Sequence, residues 1–159
     1  MSSAHQKQEY DFSPANQKTG GLVAGTRVMT MDGELPVEYL TPGDRILTRS
    51  GARKLVAVSV RVERDMAMVR IGAGALGFDR PIEETLVPLH QLILIRDWRA
   101  QALYGAPQAL VAAGRLADGR FISEETVSEA RVFTLEFAED VVIYAGRLEL
   151  ACIQETIIA

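Results

Sequence analysis

Apolar and polar positions alternate along short stretches of this chain, and turn residues separate the stretches. Arg27–Thr30 alternates around the β-branched Val28, the pattern of a half-buried strand. Asp32-Gly33 follows as a two-residue hairpin signal, because glycine takes positive φ without steric cost. Residues 37–40 come next. Then Thr41-Pro42-Gly43-Asp44 reads as a turn in which proline fixes φ and glycine supplies the bend. Residues 46–48 leave it as another strand, closed by Ser50-Gly51. Residues 53–63 alternate over a longer run, with apolar side chains on both faces near the middle. That predicts a long, curved strand passing from one sheet into another. Residues 66–71 are expected to pair back on it, with Arg64-Asp65 at the turn.

The second half repeats this grammar. Leu92–Ile95 is an apolar strand that follows the turn at Pro88-Leu89-His90, and Trp98–Tyr104 suits one or two helical turns stopped by Gly105. Residues 131–137, 141–144 and 147–151 read as closing strands. Residues 72–77 are rich in glycine. They lack the Lys-Ser/Thr ending and the strand-to-helix context of a phosphate loop, so they read as a tight loop. The fold class is therefore mainly β, with one or two short helices and no solenoid repeat. Residues 1–20 are polar apart from a few positions such as Tyr10 and Phe12, and bury too little apolar surface to offset their ordering entropy. They are expected to form a flexible tail, with His5 solvated, ahead of one domain over residues 21–159.

Composition narrows the chemistry. A length of 159 residues suits one domain, and 48% apolar residues suffice for a core without disulfides. The net charge of −4 and pI near 5.2 argue against a nucleic-acid groove, which needs clustered Lys and Arg. The single cysteine, Cys152, excludes an internal disulfide. No apolar run is long enough for a membrane helix, and the first residues carry no signal core. The expected location is the cytoplasm, or outside the cell by export without an N-terminal signal. His5, His90 and Cys152 cannot make a zinc site, and the scattered acids form no calcium loop, so neither metal nor cofactor is expected. The Asp32/Glu34 and Glu83/Glu84 clusters read as solvated faces.

The ordered blocks Gly25-Thr26, Asp32-Gly33, Val37-Glu38, Pro42-Gly43-Asp44 and Ser50-Gly51 resemble the opening of the Hint fold of hedgehog autoprocessing domains and inteins. They are most similar to a bacterial Hint-type family common in alphaproteobacteria. Residues 69–77 (VRIGAGALG), the Pro-x-His block at 88–90, and residues 109–113 and 116–119 resemble later blocks of that family. The resemblance spans roughly residues 21–153. It implies an orthogonal β fold with pseudo-twofold character.

It also implies self-cleavage, in which a first cysteine attacks the preceding carbonyl to make a thioester. Counting back from Gly25-Thr26 places that position at Gly21, which has no nucleophile. The hydroxyl usual before the Pro-x-His block is replaced by Val87, whereas His90 remains as a residue that either lines the site or is structural. The family's two later histidines align with Thr134 and Asp140, and Asp140 reads as a turn residue. Cys152 stands where a small polar residue is usual, and a buried free cysteine is ordinarily inert. The resemblance is thus to a degenerate member, inactive in self-cleavage and serving as a structural or protein-binding module through its tail or its vestigial cleft. The competing expectation is an autoprocessing domain that uses another nucleophile, Thr26 or Cys152.

Overall fold

The computed structural model describes residues 20–154. The expected tail therefore lies outside the described residues, except for its last residue, Gly20, which is buried. The strands among the described residues are β1 (Leu22–Val23), β2 (Arg27–Thr30), β3 (Gly33–Pro36), β4 (Arg45–Thr48), β5 (Gly51–Lys54), β6 (Ala57–Ile71), β7 (Thr85–Pro88), β8 (Leu92–Ile95), β9 (Ala109–Ala112), β10 (Ile122–Glu136), β11 (Val141–Ala145) and β12 (Leu148–Cys152). Among the described residues one α-helix, α1 (Trp98–Tyr104), starts on the Asp97 side chain and ends at Gly105, where the sequence places it. Residues 37–39 and 113–116 form single 3-10 turns. No helix among the described residues is long and apolar enough to cross a membrane.

Two sheets share one core. The smaller has the order β1-β10-β6-β7, and the larger runs β3-β2-β4-β11-β12-β8-β9, with β5 paired to β4. Val69, Ile71 and Phe133 from the smaller sheet join Val28, Ile46, Ile93 and Leu148 from the larger in a single apolar cluster. Aliphatic side chains dominate it, as few aromatics are available.

The first two hairpins use one local design. Thr30-Met31-Asp32-Gly33 and Thr48-Arg49-Ser50-Gly51 each pair their first and last residues across two turn residues. In each, the threonine Oγ1 donates to the glycine carbonyl and accepts from the second turn residue's N–H. The first turn is thus Met31-Asp32, one residue earlier than the sequence suggested. Gly33 follows it at φ 101°, in the left-handed region that favours glycine, and the ladder continues from there in unbroken register.

The larger correction concerns residues 53–71. Arg53 and Lys54 belong to β5. The chain changes sheet at Leu55-Val56, where the Leu55 N–H donates to Asp44 in the larger sheet region and the Val56 N–H to Glu136 at the end of β10. β6 then runs unbroken for 15 residues and pairs along its whole length with the 15-residue β10. Arg64-Asp65 is no reversal. Asp65 does have a turn-like φ of 52°, and the ladder skips it, yet the register is the same on both sides. A nearby hairpin partner was a reasonable expectation, but β10, far along the chain, offers a longer ladder. β10 also starts at Ile122, well before the closing strand read at 131–137.

Candidate functional site

Gly21 immediately precedes β1, which lies against β10 with Leu22 opposite Phe133. The peptide between Gly20 and Gly21 is held from both ends. The Gly20 carbonyl accepts from Arg61 Nη2 at 2.7 Å, and the Gly21 N–H donates to Gln91 Oε1 at 2.8 Å. Arg61 Nη1 also donates to Thr134 Oγ1 at 3.2 Å, and its Nε pairs with Glu63 at 2.6 Å. Gln91 is buried at 5% exposure, and its amide donates to the carbonyls of Ala151 and Leu92. Each polar atom of the Gln91 amide is therefore satisfied, as burial demands.

No side chain fits at Gly21. Its φ is 125°, and a Cβ there would lie 2.7 Å from the Phe133 carbonyl oxygen and 2.8 Å from Val132 Cγ1. The site is closed around a glycine, in both backbone conformation and space.

Of the candidate residues, Thr134 is linked through Arg61 to the Gly20 carbonyl that precedes Gly21, and Cys152 follows Ala151, whose carbonyl Gln91 holds. Cys152 lies opposite Val141 in the β11–β12 ladder, and burial pushes its thiol up to about 12. Such a thiol stays protonated at neutral pH and is a poor nucleophile. Val87 is buried opposite Val69 in the ladder between β6 and β7, and β7 touches β1. Asp140 stands apart in the turn before β11, where its Oδ1 accepts from the Gln154 N–H at 2.6 Å. Thr26 is also apart from these partners. It lines a groove of about 590 Å³ with Arg27, Glu34, Thr85 and Gly146.

His90 is exposed in the turn between β7 and β8 and makes no side-chain hydrogen bond to another described residue. Its neighbour Gln91 is the residue that reaches Gly21. Sequence reading passed over Gln91 and Arg61. A polar residue opening the apolar run 91–95, and an arginine between valines in β6, are the two signals that mark them. Among the described residues no three His, Cys, Asp or Glu side chains are grouped to hold a metal.

No curated protein matches the chain by sequence. Solved structures match over nearly their whole length. An intein-like domain from Clostridium thermocellum has 15% identity and a TM-score of 0.59, covering 84% of this chain and 98% of its own. The TvoVMA intein has 11% identity and a TM-score of 0.60, again with 84% and 98% covered. The gp41-1 intein has 15% identity and a TM-score of 0.52, with 82% and 97% covered. At these identities the likeness is one of fold, mainly β and Hint-like. The family profile of the Hint domain matches residues 21–156, so it starts at the glycine that closes the site. With sequence profile and fold in agreement, the chain belongs to the Hint domain family.

Proposed function

We propose that this Hint domain does not cleave itself and instead holds the chain that enters at Gly20-Gly21, as a structural or protein-binding module. Gly21 carries the reading. An acyl shift needs a nucleophile on the residue after the reacting carbonyl, and at Gly21 the backbone and Val132 leave no room for one. Cys152 is no substitute, because its buried thiol is held at about 12. The hydrogen bonds from Arg61 to Gly20 and from Gly21 to Gln91 suit a role in holding the junction. A protein partner would act through the preceding segment or through this cleft.

One observation favours the autoprocessing alternative. The Arg61 guanidinium on the Gly20 carbonyl is the kind of donor that stabilises charge building up on that oxygen. This reading still requires a nucleophile, with Thr26 or Cys152 as the candidates. Intact-mass measurement separates the two. Purified protein incubated for days with dithiothreitol or hydroxylamine is expected to keep its full mass. A fragment starting at Gly21 or at Thr26 would overturn the proposal and favour the alternative.

A further inference from the structure

Glu149 on β12 is buried, with 4% of its side chain exposed, and three guanidinium groups converge on it. Arg49, from the turn between β4 and β5, donates to Oε1. Arg80, from the loop before β7, and Arg96, just after β8, each meet Oε2 at 2.8 Å. Arg80 also donates to the Leu94 carbonyl at 3.3 Å. Asp97 acts on Arg80 electrostatically, but its carboxylate is engaged by the Arg99 side chain and N–H.

Three guanidinium groups therefore share contact with one carboxylate, inside a protein whose net charge is −4. The arginines oppose one another. After burial, which is the larger cause, Arg96 and Arg49 both help push the Arg80 guanidinium below its usual range, against the pull of Glu149 and Asp97. A guanidinium offers five N–H donors in a planar fork, and Glu149 engages only part of that supply. The cluster opens to solvent, as Arg49 and Arg96 are 35% and 43% exposed. Arg49 also borders a groove of about 600 Å³ lined by Leu94, Leu110 and Val142.

We propose that Arg49, Arg80 and Arg96 form an oxyanion site that takes a carboxylate or phosphate group as a second anion beside Glu149. The site is independent of the chemistry at Gly21. Its ligand relieves the repulsion among the arginines and accepts charge-assisted hydrogen bonds, which are stronger than neutral ones.

The test titrates the whole protein with inorganic phosphate, and separately with succinate, at an ionic strength held constant with sodium chloride. The readouts are melting temperature and the arginine Nε–Hε resonances. A saturable rise in melting temperature is expected at tens of millimolar or below, with shifts at Arg49 and Arg96. Tighter binding of phosphate identifies a phosphate group as the natural ligand, and tighter binding of succinate a carboxylate. Arg96→Ala and Arg49→Ala should each weaken binding by about tenfold. Arg96→Lys keeps the charge but loses the fork, so it should fall between wild type and Arg96→Ala, and it covers the case in which an alanine variant does not fold. No saturable response to either anion, or equal affinity in wild type and the folded variants, would overturn the site.

Discussion

Gly21 and Gln91 are complementary in what they forbid. Gly21 forbids a side chain, and Gly21→Ala is expected to destabilise the protein by about 2–4 kcal/mol, through a strained φ and a contact with main chain that cannot rotate away. Denaturant unfolding measures this directly. Gly21→Cys introduces the same Cβ, so we expect a comparable loss and no cleavage by intact mass. Gln91 forbids the removal of its amide. Gln91→Leu leaves the Gly21 N–H and the Ala151 carbonyl buried and unpaired, at an expected cost of about 2–4 kcal/mol. The neighbouring exposed His90 provides the contrast, since His90→Ala should change stability by less than about 0.5 kcal/mol. A larger loss for His90→Ala than for Gln91→Leu would mean the two side chains have exchanged roles.

Among the elements, the Thr-x-x-Gly hairpins and the entry to β10 depend on small local contacts. Gly33 has φ 101° with open space where a Cβ would point, so Gly33→Val acts through backbone strain alone. A loss of about 1–2 kcal/mol in urea unfolding is expected. At the entry to β10, Asp118 Oδ1 accepts from the N–H groups of Arg120, Phe121 and Ile122. These backbone bonds, Ile122 first, hold the Asp118 carboxyl below the usual range. The sign follows from which state binds the proton more tightly. A carboxyl depressed in the fold stabilises the protein above its unfolded pKa, near 3.9, and loses that contribution as pH falls through the lower folded value. The melting-temperature gap between wild type and Asp118→Asn should therefore be steady near pH 6 and narrow in acid below pH 4. A gap that widens in acid would mean the carboxylate does not hold this turn.

Across the whole molecule, the sequence was legible where a contact is local. Pro42-Gly43, the Trp98 helix with its Gly105 stop, and the strand alternation of 27–30 are all set by residues within a few positions of one another. Asp65 was misread for the same reason. Its turn-like φ is real, but the β10 ladder holds the strand on either side of it. The polar contacts of the core were not legible, because burial joins residues far apart in the chain. Gly21 and Gln91 are separated by 70 positions, and Arg49 and Glu149 by 100. Composition and spacing do not reveal that a particular glutamate will be enclosed by particular arginines. The Glu149 cluster ties β12 to the ends of β4 and β8 and to the loop before β7, so its loss should be felt as global unfolding. Glu149→Gln removes the one carboxylate that all three guanidiniums contact, and we expect it to cost about 3–5 kcal/mol in denaturant unfolding.

The missing space at Gly21 also bears on how this chain can change. One substitution supplies a cysteine sulfur, but the Phe133 carbonyl and the Val132 methyl already occupy the room its Cβ needs. Val132 can be trimmed by a second substitution. The carbonyl is main chain, and it yields only if β1 and β10 move apart. Each step taken alone lowers stability before any chemistry is gained. Position 21 therefore works as a ratchet: glycine can be left only through variants less fit to fold, so a nucleophile here is reached by several coordinated changes and not by one.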